Sequence, residues 1–166
     1  MNVDVEDLMD VEEVEGDQEL IQLVTFSIGE EEFGVNILQV QEIIRTMEIT
    51  TVPRAPEFVE GVINLRGKVI PIVDMRSRFG LESKEHDKYT RIIVIEIDMI
   101  IVGFVVDAVS EVLRIPANSV QPPPPVVAGM DADYIDGVGK LDDRLLILLD
   151  LDSLLDNEEK EVLSGV

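Results

Sequence analysis

The stretch Phe58–Met75, FVEGVINLRGKVIPIVDM, returns in degraded form at Tyr134–Leu151, YIDGVGKLDDRLLILLDL. A constant offset of 76 sets Phe58 against Tyr134, Gly61 against Gly137, Leu65 against Leu141 and Asp74 against Asp150. A second echo, offset by 69, sets Phe33–Ile44 (FGVNILQVQEII) against Val102–Leu113 (VGFVVDAVSEVL). There Gly34, Val40 and Glu42 meet Gly103, Val109 and Glu111. Apolar and polar character agrees at most positions, and the order of the two echoes is preserved. Such a chain is one structural unit made twice, which restricts it to folds with internal pseudo-symmetry. Function is to be sought where the copies differ: Asn64, Leu65, Arg66 and Gly67 have become Lys140, Leu141, Asp142 and Asp143.

Local patterns say what the unit is made of. Leu20–Ile28 is rich in Ile, Val, Leu and Phe and reads as a strand, turned at Gly29–Glu32 into a short partner over Glu32–Val35. Asn36 reads as the N-cap of a short helix carrying Ile37, Val40 and Ile44 on one face, although a strand fits the same residues. After Pro53 and Pro56, two strands, Phe58–Leu65 and Val69–Asp74, flank a turn at Arg66–Gly67–Lys68. Pro71 predicts that the second of them is an edge strand or is bulged. Arg76–Thr90 is a polar connector holding the one histidine, His86, expected in solvent. The second copy runs through strands Tyr89–Ile97 and Ile100–Val106, a short helical piece to Leu113, and a proline-rich loop at Pro122–Pro125. It ends in a hairpin, Tyr134–Leu141 and Leu145–Leu149. Asp150 or Asp152 then caps a closing helix to about Leu163, with Leu151, Leu155 and Val162 on one face.

Many short strands, duplicated once, predict a mainly all-β chain folded as two small β-barrels in one body. Closed barrels also remove the exposed edges that such Val- and Ile-rich strands would otherwise present. The expected divisions are an acidic tail over 1–19, barrels over 20–88 and 89–151, and the closing helix over 152–166. Residues 1–19 carry nine acids and read as a mobile tail with a transient amphipathic turn around Val5–Val14.

Charge and composition exclude several functions. With a net charge of −22, the chain is unsuited to phosphate backbones, so no nucleic-acid partner is expected. The acidic N-terminus has no basic region or long apolar core, so no signal peptide is expected, and Glu96, Asp98 and Asp107 interrupt the one apolar stretch, Ile92–Val109, so no membrane insertion is expected. The absence of cysteine removes disulfides, thiolate metal sites and cysteine nucleophiles, and suits a reducing cytoplasm. Nine of the thirteen basic residues lie between Arg45 and Arg91, a near-neutral window in an acidic molecule.

The catalytic patterns fail in turn. A nucleophile–histidine arrangement has only His86 to use, and Gly137-Val138-Gly139-Lys140 lacks the Ser or Thr and the upstream Gly of a phosphate loop. Asp131, Asp133 and Asp136 hint at calcium, but Ile135 stands where an oxygen ligand belongs, and turn-stabilising roles outweigh that reading. Asp74 and Asp150 sit at equivalent strand ends, where Asp accepts backbone N–H bonds. Gly61 and Gly137 read as a bulge or a close backbone approach at a barrel corner. Arg66 differs: it occupies a hairpin mouth in one copy only, where Asp142 stands in the other. A turn charge is ordinarily just solvated, yet an arginine on a rigid hairpin also suits a directional anchor.

Through FGVNILQVQEI, VPRAPEFVEGVINLRG, IPIVDM, VGFVVDAVSEVL and YIDGVGKLDDRLLILLDL, residues 20 to about 163 resemble the CheW family, the coupling adaptors of bacterial chemotaxis. The resemblance implies two five-stranded SH3-like barrels sharing a hydrophobic seam, with no enzymatic activity and no cofactor or metal. It implies two partners in the cytoplasm: the tip of methyl-accepting receptors and the regulatory domain of the histidine kinase CheA. The receptor-contacting positions it implies are Val40, Glu42, Gly61, Asn64 and Arg66. A CheW-like scaffold of another pathway, such as surface motility, is the alternative reading, and a small-molecule-binding barrel is a further one.

Overall fold

A computed structural model of the chain describes residues 3–4, 19–123, 135–141 and 143–164. Val5–Val14, Asp131, Asp133, Tyr134, Asp142 and most of the proline-rich loop, all assigned roles above, lie outside the described residues. The strands are β1 (Val3–Asp4), β2 (Leu20–Ile28), β3 (Glu31–Asn36), β4 (Val40–Arg45), β5 (Val59–Leu65) and β6 (Lys68–Asp74). They continue as β7 (Arg91–Ile97), β8 (Ile100–Val106), β9 (Ala108–Pro116), β10 (Val120–Gln121), β11 (Ile135–Lys140) and β12 (Leu145–Leu149). The chain is mainly strand, as expected, and forms two sheets, ordered β1-β4-β7-β8-β6-β5 and β10-β11-β12-β3-β2-β9.

Each sheet curls back on itself. In the first, the chain leaving β4 bridges Thr50 to Val62 of β5; in the second, β9 runs through a 3-10 turn into β10, which pairs with β11. The glycine expectation is met at both corners. Ladders shift register at Glu60 and at Asp136, and a Cβ on Gly137 would stand 2.7 Å from the Gln121 carbonyl oxygen. At Gly61 it would fall onto the carbonyl oxygen of Thr50.

The repeated units and the sheets do not coincide. β4, β5 and β6 of the first copy take in β7 and β8 of the second, while β9, β11 and β12 take in β2 and β3 of the first. A boundary at 88/89 separates the copies, but it does not separate the sheets. Equivalent parallel ladders make the exchange: Ile72–Asp74 beside Gly103–Val105, and Ile147–Leu149 beside Phe33–Val35.

Apolar residues accordingly fill three spaces. Ile63, Ile70, Ile72, Ile92 and Val94 pack inside the first barrel, and Leu23, Ile115, Leu146 and Leu148 inside the second. Between the barrels a larger cluster joins Phe26, Phe33, Val35, Val40, Ile93, Ile95 and Phe104. β7 sends alternate residues into a barrel and into the seam, so both of its faces are apolar and its sequence reads as one unbroken run.

The segment read as helix or strand, and the one read as helical, are both strands. Asn36 does cap, its Oδ1 accepting from Leu38 N at 3.0 Å, but only a 3-10 turn over Ile37–Gln39 follows before β4. The segment to Leu113 is β9. Both strands carry a bulge, at Gln41 and at Ser110, which breaks the alternation of period two and leaves apolar residues at helical spacing. Pro71 is neither at a sheet edge nor bulged; β6 lies between β5 and β8, but the β8 ladder begins only at Ile72. The closing helix starts later than expected, at Asn157, where Asp156 Oδ1 accepts from Glu159 N and Glu159 Oε1 accepts from Asp156 N. Leu163 is its buried residue and Val162 is exposed. Asp150 caps the preceding 3-10 turn and Asp74 the one-turn helix Met75–Arg78, as their strand-end positions predict.

Candidate functional site

The β5–β6 hairpin closes in two residues, Arg66 at φ 52° and Gly67 at φ 85°, with Asn64 Oδ1 accepting from Gly67 N at 2.9 Å. Positive φ at both central residues is the type I′ turn that matches strand twist. Asn, Asp and Gly adopt this conformation easily, whereas a longer side chain at the first position costs about 1–2 kcal/mol. Arg66 is therefore retained against a local preference. Its guanidinium reaches across the barrel mouth to the carboxylate of Glu42 on β4, with 62% of the arginine side chain exposed against 18% for the glutamate.

Glu42, Asn64 and Arg66 thus share one surface strip on the first barrel. Val40 and Gly61 do not join it. Val40 is 6% exposed and packs into the seam opposite Ile95, because the bulge at Gln41 turns it inward. Gly61 lies beneath Thr50 and offers no surface. An apolar residue does border the strip: Val69, 61% exposed, faces Asn64 across the hairpin. Period-two alternation from Asn64 through the turn was the signal that could have found it.

The second barrel repeats the arrangement in altered form. Arg144 Nη2 meets Glu111 Oε1 at 2.9 Å, and Glu111 is the residue that echoes Glu42. Leu145, which echoes Val69, is 63% exposed. Arg144 is also held by Glu32 at 3.4 Å, so among the described residues its guanidinium is shared between two carboxylates, while Arg66 meets one. Sequence comparison missed this pair because Arg144 stands two places beyond the equivalent of Arg66.

His86 is not a free loop residue. Its Nε2 lies 2.8 Å from Glu60 Oε1 and its Nδ1 2.6 Å from Thr46 Oγ1, tying the connector to the corner of the first barrel. Burial pushes the Glu60 carboxyl above its ordinary 4.5, against the attraction of His86 and with the repulsion of Asp74. A raised folded-state value favours the neutral acid, so that stabilisation is complete below 4.5 and is lost as pH rises through the folded value. Glu60→Gln is expected to gain stability over wild type as pH climbs from about 4 to about 7. Urea midpoints at the two pH values check this; a pH-independent difference refutes it.

Among the described residues no group of three or more His, Asp or Glu is placed to hold a metal, and no helix is long and apolar enough to cross a membrane. A shallow groove of about 440 Å³ runs between Lys68–Pro71, Met99–Ile101 and Leu163–Ser164.

The CheW-like domain family matches residues 22–159. The chain belongs to the CheW family. It is 38% identical to the chemotaxis protein CheW of Klebsiella aerogenes over 145 residues, 87% of each chain. It is 37% identical to that of Thermotoga maritima, covering 87% of this chain and 93% of that protein. The crystal structure of the scaffolding protein TtCheW from Thermoanaerobacter tengcongensis superposes with a TM-score of 0.77 at 40% identity, covering 88% of this chain and 94% of that one. This CheW-family chain is a chemotaxis coupling adaptor, and its two-sheet body is the fold of that family.

Proposed function

We propose that this CheW-family adaptor joins the cytoplasmic tip of methyl-accepting chemotaxis receptors to the regulatory domain of the histidine kinase CheA, in the cytoplasm and without catalysing a reaction. The observation that carries the receptor side is Arg66, kept exposed in a turn conformation that disfavours it. Backbone strain of this kind is tolerated where the side chain has work outside the fold. A helical tip laid along Glu42, Asn64 and Arg66 would find charge-assisted donors from the guanidinium and an apolar contact from Val69. Val40 acts from below, by fixing β4 on the seam. Leu38, 81% exposed, and Met99, 92% exposed, supply apolar rim area for a like-folded kinase domain.

The test exploits the turn. Arg66→Asn suits positive φ better than arginine does, and the arginine end of the lost ion pair is mostly exposed, so stability should hold within a few tenths of a kcal/mol. Receptor affinity should fall by about 1–3 kcal/mol if Arg66 is a central anchor. Pull-down on a receptor signalling fragment, with thermal melts in parallel, separates the two effects; full receptor binding by a stably folded variant rejects the assignment.

A further inference from the structure

The parallel ladder between copies starts one pair later in the first barrel than in the second. Ile147 pairs with Phe33 in the second barrel. Their equivalents in the first, Pro71 and Val102, stand outside the ladder, which begins at Ile72 opposite Gly103. Pro71 is the cause. Val62, its partner on β5, directs both its N–H and its C=O to Thr50. By the alternation of an antiparallel pair, Pro71 therefore turns its nitrogen away from β5 and toward β8. That nitrogen has no hydrogen to donate, so the sheet splits there. The split is the groove of about 440 Å³ between Lys68–Pro71 and Met99–Ile101. The same alternation turns the backbone N–H and C=O of Val69 and of Ile101 into it, beyond the end of the ladder.

The second barrel shows what chemistry this place takes. There Arg144, at the position of Lys68, meets Glu32 of β3 at 3.4 Å. In the first barrel Ile101 stands at the position of Glu32. Among the described residues no carboxylate is paired with the exposed Lys68. Met99 borders the groove 92% exposed and at φ 71°, a backbone conformation that disfavours any side chain of its size. An exposed apolar residue held in such a turn has work outside the fold, by the argument already applied to Arg66.

We propose that this split is a docking site for an extended segment of a partner protein that carries a carboxylate among apolar residues. The segment's backbone adds to the open edges at Val69 and Ile101, as a strand does at any unpaired edge. Its carboxylate takes a charge-assisted hydrogen bond from Lys68, and an apolar side chain lies on Met99. The site goes beyond the receptor reading and does not depend on it: Val69 borders the Arg66 strip with its side chain but faces the groove with its backbone.

Amide NMR spectra of the isotope-labelled full-length chain, titrated with a capped heptapeptide of alternating valine and glutamate, test this. At a net charge of −22 the molecule as a whole repels such a peptide, so saturable binding reports a local site. Saturable shifts at Val69 and Ile101 are expected, with binding weakened roughly fivefold in Lys68→Glu. Ile101→Glu restores the residue type of the second barrel, and its carboxylate should pair with Lys68 and abolish binding. The same peptide with threonine in place of glutamate should bind more weakly than the acidic one. An absence of saturable shifts, or shifts confined to other residues, overturns the proposal. Equal binding by Lys68→Glu or by the threonine peptide overturns it as well, because the carboxylate would then have no partner in the groove.

Discussion

Gly61→Ala is expected to destabilise the chain by about 3 kcal/mol, the upper end of what overpacking costs. The added Cβ would land on the carbonyl oxygen of Thr50, 2.9 Å from its carbonyl carbon and 2.7 Å from Ile49 Cγ2. Backbone cannot step aside as a side chain can. Thr50 N donates to Val62 O and Val62 N donates to Thr50 O, both at 2.9 Å, and this bridge closes the barrel. Relief therefore requires breaking the closure or forcing β5 out of register against β6. Gly137→Ala meets the equivalent obstacle at Gln121, but there the crossing strand β10 is only two residues long and can yield. Its cost should be about half. Gly67→Ala gives a scale for turn strain alone: its Cβ meets nothing, and φ 85° costs about 1 kcal/mol. Urea unfolding of the three variants should rank Gly61 above Gly137 above Gly67. A Gly61→Ala protein within about 0.5 kcal/mol of wild type would show that the corner is not a close crossing.

That corner was legible in the amino-acid sequence, because both copies keep the glycine and a shared residue reports on the fold they share. The strands β2, β3, β5 to β8 and β12 were legible for a similar reason: β-branched runs end at turn residues, and Asp98–Met99 and Arg66–Gly67 are both tight positive-φ turns. The sequence of β4 fits helix or strand, and that of β9 reads as helical, because their bulges at Gln41 and Ser110 shift the phase of burial by one residue. Val40, Ile43 and Ile44 then fall at positions i, i+3 and i+4, a spacing that a helix also produces. The inward turn of Val40 follows from the same bulge, so one local irregularity accounts for the ambiguous element and for the burial of Val40. His86 was read as solvated because nothing in its polar loop announces Glu60, which lies far along the chain on β5. The polar strip itself was legible in part: Arg66 and Asn64 stand out as the positions where the copies differ, whereas Glu42 stands on a residue that both copies keep.

The exchange of strands between copies was beyond reach of pattern alone, since an echo shows that two segments are alike and not which of them pair. Its consequence is the largest effect expected here. Cutting the chain at the exposed connector between Lys88 and Tyr89 should leave two fragments, neither of which folds as a monomer. Alone, the first keeps the antiparallel hairpins β2–β3 and β5–β6, the two-residue β1–β4 pairing and the Thr50–Val62 bridge, and the second keeps β7–β8 and β11–β12 with the two-residue β10 beside β11. Isolated two-stranded hairpins are marginal in water. The long ladders β2–β9 and β4–β7 and both parallel ladders cross the cut, as does the seam in which Phe26 and Phe33 meet Phe104. Mixed in equal amounts, the fragments should recover one cooperative transition, because the cut falls in a connector and removes no strand. Because the two copies are alike, a single fragment at high concentration has one alternative, to pair with itself as a twofold dimer with strands exchanged between chains. Circular dichroism with sedimentation distinguishes these states: no transition in either dilute fragment, restored on mixing. A fragment that unfolds cooperatively as a monomer would mean that each copy completes a barrel unaided, and the interleaved sheet order would then be wrong.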